Sequence, residues 1–266
     1  PFLLINMRVI PKKSLGQNFL KSPAVARAIA EAACPMGDEI VLEIGPGEGM
    51  LTDELLKCAK KVVAIEKDTR LIPMLREKYA KEIKEKKLVL KEGDVLLETP
   101  RKLERLIGAK KYVVAANIPY YITGIIIRRL LEERTKPARI TLLLQKEVAE
   151  RIVARDGKES ILSTSVKVYG MPRIIRKVPA GAFHPRPNVD SAVIMIEKIK
   201  DPFSKKTDEK KFFEILKRGF AHKRKLLRKN LGVSEEILFS CNIPTHTRPE
   251  ELTKDNWLCL SRATAS

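Results

Sequence analysis

Two hydrophobic patterns alternate along this 266-residue chain. Short continuous apolar runs at residues 40–44, 61–66, 88–90, 112–116, 140–144 and 191–196 have the composition of strands buried on both faces. Between them, apolar positions recur at helical spacing over residues 25–34, 51–59, 71–80, 101–107, 125–134 and 146–154. This alternation predicts an α/β fold with a mostly parallel sheet covered on both sides by helices. Residues 165–178 predict one more strand, bent near Pro172. It connects to the last strand through the proline-rich segment 179–187 without a helix, which predicts an antiparallel edge.

After Lys200 the pattern becomes entirely helical. Residues 210–231 carry an apolar stripe of Phe212, Phe213, Leu216, Phe220, Leu227 and Leu231, read as one helix. Ser22-Pro23, Ser234-Glu-Glu-Ile and Thr253-Lys-Asp-Asn have the character of helix starts. Two domains are expected: residues 1–200, carrying the sheet, and residues 201–266, small and all-helical.

Composition narrows the class. With 44% hydrophobic residues the chain can bury a large core, which excludes a disordered basic tail. No apolar run approaches the roughly 20 residues that cross a bilayer. Residues 1–7 are apolar but short and lack a basic flank, so a soluble cytoplasmic protein without a membrane partner is expected. Lys and Arg number 52 against 33 Asp and Glu, a net charge of +19. The excess is +14 in residues 1–200 and +5 in residues 201–266, nearly the same density in each. Charge of that size and spread favours a polyanionic partner, which on charge alone is RNA, DNA or an acidic membrane surface. Abundant Lys and Glu with only two Gln fit a thermophilic, archaeal source. Cys34, Cys58, Cys241 and Cys259 form no CxxC pair and His is scarce, so reduced thiols and no metal site are expected.

The chemistry begins at Val41-Leu-Glu-Ile-Gly45-Pro-Gly47-Glu-Gly49, a strand running into a glycine-rich turn and then a helix. Gly45 and Gly47 let a ligand approach the main chain. Glu66 ends the next strand, where a carboxylate accepts from both hydroxyls of a ribose. The spacing G-P-G-E-G departs from the dinucleotide pattern G-x-G-x-x-G, and Glu48 sits where a pyrophosphate would be repelled, which disfavours a dinucleotide. S-adenosylmethionine, with a sulfonium, an ammonium and no phosphate, suits an acidic pocket of Glu43, Glu48, Glu66 and Asp94. Asp94, after the third strand, is placed to accept from the cofactor's adenine amine.

Asn117-Ile118-Pro119-Tyr120 closes the fourth strand, at the edge where open α/β sheets bind ligands. An adenine exocyclic amine is a poor nucleophile because its lone pair is delocalised into the ring. The Asn117 side-chain carbonyl and a main-chain carbonyl at 118 or 119 would accept its two N–H bonds and aim the lone pair at the sulfonium methyl. Tyr120 would stack on the base. Phe183, in the loop Phe183-His-Pro-Arg-Pro-Asn-Val-Asp190, would clamp its other face, the competing reading being a core plug.

Taken with Leu15-Gly-Gln-Asn-Phe-Leu20, Glu66-Lys-Asp68 and Gly93-Asp94, these motifs resemble the ribosomal RNA small-subunit adenine dimethyltransferase family over about residues 10–198. The resemblance implies a Rossmann-like S-adenosylmethionine-dependent methyltransferase sheet. It implies transfer of two methyl groups to each of two adjacent adenosines near the 3′ end of small-subunit rRNA, in ribosome biogenesis. By motif position, Asn18, Leu20, Gly45, Gly47, Glu66, Asp94 and Asn117 would contact the cofactor. Asn117, Pro119, Tyr120 and Phe183 would handle the adenine. Residues 217–229 then gain a role. Lys217, Arg218, Lys223, Arg224, Lys225, Arg228 and Lys229, with no acid among them, would meet RNA phosphates. A monomer acting on rRNA or an assembling small subunit is expected. Two alternatives remain: a non-catalytic RNA-binding assembly factor and a large-subunit rRNA adenine methyltransferase.

Overall fold

The structure, a computed structural model, describes residues 9–222 and 224–264. In chain order its first elements are β1 (Phe19–Leu20), α1 (Pro23–Ala33), β2 (Ile40–Ile44), α2 (Met50–Cys58), β3 (Lys61–Glu66), α3 (Ile72–Lys78), α4 (Ala80–Lys84), β4 (Leu88–Glu92), α5 (Pro100–Ile107) and β5 (Val113–Asn117). Then come α6 (Thr123–Glu132), β6 (Arg139–Gln145), α7 (Lys146–Val153), α8 (Ile161–Lys167), β7 (Met171–Val178), β8 (Phe183–His184) and β9 (Ser191–Glu197). Four helices follow: α9 (Lys206–Gly219), α10 (Leu227–Leu231), α11 (Glu235–Ser240) and α12 (Lys254–Ala263).

Seven strands form one sheet in the order β4-β3-β2-β5-β6-β9-β7. The first five pair in parallel, as continuous apolar runs joined by helices require. The strand order reverses between β2 and β5, the point at which open α/β sheets form a crevice. Register makes the crevice useful. Ile44 pairs with Ile65 and Ala116, and Glu66 pairs with Glu92. The segments leaving β2, β3, β4 and β5 therefore emerge along one edge. A separate two-stranded ladder joins β1 to β8 through Phe19–His184 and Leu20–Phe183.

Local chemistry explains the boundaries. Pro23 opens α1, where its missing N–H costs nothing. Thr99 caps α5 by accepting from Lys102 N, and Gly108 ends it in the left-handed region. The expected strand over residues 165–178 is corrected in its first half. Ser160 and Ser163 form a reciprocal capping box, so residues 161–167 are helix α8 and the strand begins at Met171. The β-branched residues of that stretch read as strand, but two satisfied N-terminal donors outweigh that weak preference.

The chain divides into two compact units: residues 1–146 with 175–195, and residues 147–174 with 196–266. The expected boundary at 200/201 falls inside the second unit, because α7, α8 and the start of β7 cluster with the C-terminal helices. In the first unit Val41, Leu55, Val62, Ala64 and Ala115 are fully buried in a core that reaches Phe19 and Phe183. In the second, Trp257 stacks on Phe220 at 5.5 Å and Phe212 meets Phe213 edge-on at 5.2 Å.

The single helix expected over residues 210–231 is also corrected. It stops at Gly219 and resumes at Leu227. Asn230 Nδ2 donates to the carbonyls of Gly219 and His222, closing off the end of α9. A Cβ on Gly219 would lie 2.3 Å from the Trp257 ring, so that helix end is packed directly against α12. The cysteine expectation holds for two residues only. Cys34 and Cys58 are free, whereas Cys241 and Cys259 form a disulfide. Their 18-residue separation conceals that α11 and α12 bring their Cα atoms to 5.6 Å, within bridging range.

Candidate active site

Gly45, Gly47 and Gly49 all have positive φ, +68°, +60° and +88°, which turns the chain sharply from β2 into α2. The turn is braced from α3 and the residue after it. Tyr79 OH lies 2.8 Å from the Gly49 carbonyl and 2.7 Å from Asp53 Oδ1. Lys78 Nζ donates to Asp53 Oδ2 at 2.8 Å and to the Glu48 carbonyl at 3.3 Å. The Lys78 ammonium is thus committed to the protein itself.

Glu66 ends β3, nearly buried. Its Oε2 accepts from Gly47 N at 3.0 Å and its Oε1 from Asp68 N at 2.7 Å. Burial raises its carboxyl above the usual range, and the two backbone donors oppose that shift. Each oxygen keeps acceptor capacity for a second partner. At the end of β4, Asp94 Oδ1 accepts from Leu96 N at 2.9 Å, and Oδ2 meets Lys67 Nζ at 2.9 Å. Burial pushes the Asp94 carboxyl up, but Lys67 and the Leu96 amide outweigh it and the net direction is down.

Asn117 ends β5. Its Nδ2 donates to the Asn18 carbonyl at 3.1 Å, which fixes the amide orientation, since a carbonyl partner requires the NH₂ group. Oδ1 is left as the acceptor of a residue that lines the cleft. Pro119 O accepts from Ile122 N at 3.2 Å and starts a short 3-10 turn that carries Tyr120. The Tyr120 hydroxyl pairs with buried Ser191 Oγ at 2.8 Å, which sets the direction of its ring.

These groups converge on one cleft of about 170 Å³. Asn18, Leu20, Gly45, Gly47, Glu66, Asp94, Asn117, Pro119 and Tyr120 all line it. So do Gln17, Phe19, Lys67 and Tyr121, to which the motifs assign no role. Gln17 and Phe19 lie inside Leu15–Leu20, so their place in that motif is the available signal. Lys67 lies inside Glu66-Lys-Asp68 and Tyr121 directly follows Asn117–Tyr120, so adjacency to a motif is their signal too.

Two expected members are elsewhere. Glu43 is fully buried below the turn, where Thr52 Oγ1 donates to its Oε2 at 2.8 Å, and it does not line the cleft. Burial lifts its carboxyl from 4.5 to about 8, so the acidic wall is made by Glu48, Glu66 and Asp94. Phe183 is 4% exposed, packs in the core cluster and does not line the cleft, so the geometry corresponds to the core-plug reading. Its β1 partner Leu20 holds it there.

In the second unit, Lys217, Arg224, Lys225 and Lys229 are exposed and have no ion-pair partner among the described residues. Arg218 NH2 instead donates to the Leu231 carbonyl at 2.6 Å, and Arg228 pairs with Glu235 at 2.8 Å. Lys223 lies outside the described residues.

A profile of the family described as "Ribosomal RNA adenine dimethylase" matches residues 10–265. The chain belongs to that family. It is 38% identical over 263 residues to ribosomal RNA small subunit methyltransferase A of Dehalococcoides mccartyi, covering 95% of this chain and 88% of the relative. It is 42% identical over 232 residues to the Clostridium perfringens protein of the same name, covering 85% and 79%. Among solved structures, a dimethyladenosine transferase from Plasmodium falciparum superposes with a TM-score of 0.75 at 27% identity, over 91% of this chain and 95% of that one. The 23S rRNA methyltransferase ErmE gives 0.74 at 25% identity, over 94% and 100%. The two curated relatives are bacterial, and the archaeal lineage expected from composition finds no support in them.

As a member of the rRNA adenine dimethylase family, the chain is an S-adenosylmethionine-dependent methyltransferase of Rossmann-like fold. The cleft fits that methyl donor. Its lining holds three carboxylates and one ammonium, Lys67, which is paired to Asp94. Such a lining favours a cationic nucleoside and disfavours a pyrophosphate. Gly45 adds open space, since a Cβ there would meet nothing within 4 Å.

Proposed function

We propose that this dimethylase transfers methyl groups from S-adenosylmethionine to the exocyclic amines of two adjacent adenosines near the 3′ end of small-subunit rRNA. One observation carries the reading: Asn117 is anchored through Nδ2 and presents Oδ1 at the carboxyl end of β5. The donor supplies an electrophilic methyl on sulfur, so the protein's work is positioning. Asn117 Oδ1 accepts one amine N–H, and the Pro119 carbonyl keeps a lone pair for the other. Holding both N–H groups draws the nitrogen lone pair out of conjugation and points it at the methyl. Tyr120, steadied by Ser191, offers its ring for stacking on the base. Glu66 receives the ribose hydroxyls and Asp94 the adenine amine of the donor, with Asn18, Leu20, Gly45 and Gly47 forming the walls.

RNA is held outside the cleft by charge. Lys217, Arg224, Lys225 and Lys229 are free to meet phosphates, and Lys223 joins them by sequence. Arg218 and Arg228, though in the same run, serve first to join parts of the helical unit. The reading further has the protein working as a cytoplasmic monomer on an assembling small subunit. Incubating the chain with labelled S-adenosylmethionine and small-subunit particles, then mapping the modified nucleotides by mass, tests it. The expected product is dimethyladenosine at two adjacent positions of the small-subunit RNA. Label confined to large-subunit RNA, or none at all, would overturn it.

A further inference from the structure

The segment preceding α1 forms one wall of the cleft, from Leu15 to Leu20. Only its end, Phe19–Leu20, is held by a ladder, with β8, so the place of residues 10–17 depends on side-chain ties. One of these runs from Gln17, in the lining, to Asp68 and Arg70 outside it. Asp68 is 3% exposed and is absent from the cleft lining. Its Oδ2 accepts from Gln17 Nε2 at 2.8 Å and from Arg70 NH2 at 2.6 Å, and its Oδ1 accepts from Arg70 Nε at 2.9 Å. Its main-chain N–H donates to Glu66 Oε1 at 2.7 Å. Arg70 NH1 also donates to the Ile10 carbonyl at 3.1 Å, and Gln17 Oε1 accepts from Lys12 N at 2.7 Å. One hydrogen-bonded chain therefore joins the segment at Ile10, Lys12 and Gln17 to the carboxylate assigned to the ribose.

We propose that Arg70, acting through Asp68 and Gln17, is a positioning residue for S-adenosylmethionine: it latches residues 10–17 beside the cleft and orients Glu66, without touching the donor. The proposal rests on the assignment of Glu66 to the donor's ribose. The physical reason is preorganisation. A wall already ordered does not lose that freedom when the ligand arrives, so its anchoring is felt in affinity. The guanidinium suits the role because its planar fork engages both oxygens of Asp68 and still reaches a carbonyl. A lysine has one donating nitrogen and cannot do all three.

The test uses the full chain with Arg70→Met, Arg70→Lys, Gln17→Leu and, as a control, Glu66→Ala. Calorimetry gives the S-adenosylmethionine Kd. Amide exchange without donor follows residues 10–17. Methyl transfer to small-subunit particles gives KM and kcat. Arg70→Met is expected to raise Kd and donor KM about tenfold and to speed exchange in residues 10–17, with kcat within about twofold of the parent, and Gln17→Leu to raise Kd and speed that exchange likewise. Arg70→Lys is expected to restore part of the affinity. If Glu66→Ala weakens binding while Arg70→Met and Gln17→Leu bind like the parent, the latch is overturned alone. Losses in kcat that follow the melting temperature, with donor KM unchanged, also overturn it. Unchanged binding in Glu66→Ala overturns the ribose assignment, and the latch with it.

Discussion

Asn117 and Asn18 are 99 positions apart in sequence, yet the side-chain NH₂ of the first donates to the main-chain carbonyl of the second at 3.1 Å. The bond ties the end of β5 to the segment before α1. It also uses the amide's NH₂ group and leaves Oδ1 as the acceptor, and so decides what that residue can do to an amine. Asn117→Ala is expected to lower methyl transfer by roughly a hundredfold or more, the usual size of losing one positioned hydrogen-bonding group on a reacting centre. RNA affinity should stay close to the parent. Single-turnover rates at saturating donor, set against filter binding of the RNA, separate the two, and equal losses in both would contradict the role.

Ser191 offers a gentler probe of Tyr120. Its hydroxyl is hydrogen-bonded to the phenol and is itself buried. Ser191→Ala should slow transfer about two- to tenfold, the range of one ordinary hydrogen bond. Ser191→Thr, which keeps the oxygen, should recover most of it. The ratio of monomethyl to dimethyl product, read by mass, should rise in the alanine variant.

The glycine turn has little room for change. Gly49 has φ +88°, and a Cβ there would stand 2.2 Å from the Tyr79 hydroxyl. Gly49→Ala is expected to cost about 1–2 kcal/mol from backbone strain alone. Displacing Tyr79 adds to that, and donor affinity should fall along with the melting temperature. Calorimetric scans with and without S-adenosylmethionine would detect both effects.

Glu43 makes stability depend on pH in an unusual direction for a carboxylate. Burial raises its pKa, with Glu66 and Asp53 adding to the rise and Thr52 and Lys78 opposing it, to about 8. In the unfolded chain the group ionises near 4.5, whereas in the folded chain it stays protonated until about 8. The stability it contributes is therefore fully present below pH 4.5 and is lost as pH rises to about 8. At about 1.4 kcal/mol per pKa unit the loss is on the order of a few kcal/mol. Glu43→Gln should flatten this part of the profile in denaturant titrations across the window. An unchanged slope would show that Glu43 is not its source.

The exposed cations of the helical unit should control salt sensitivity. Replacing Lys217, Arg224, Lys225 and Lys229 by neutral residues is expected to weaken RNA binding. The log–log salt slope should become shallower by roughly 0.7–0.9 for each phosphate no longer neutralised. Arg218→Ala and Arg228→Ala should instead lower the melting temperature, because those side chains are engaged within the unit. Binding followed from low to moderate salt distinguishes the two groups.

The sequence by itself determined most elements of this protein and most of its cleft. Continuous apolar runs specify buried parallel strands. Glycine spacing, the carboxylates at Glu66 and Asp94 and the Asn117–Tyr120 motif mark the strand ends, because those features are local and each follows from its own few residues. The tertiary structure decided what depends on two distant segments meeting. It buried Glu43 below the turn and Phe183 in the core, since the register of β2 and the β1–β8 ladder set which way each side chain points. It ended α9 at Gly219, where Asn230 and Trp257 meet it, and joined Cys241 to Cys259 across two helices. It also gave Gln17 and Arg70 their common partner, Asp68. A hydrogen bond across 51 residues leaves no periodic trace in sequence, because its formation depends on every element folded between its ends.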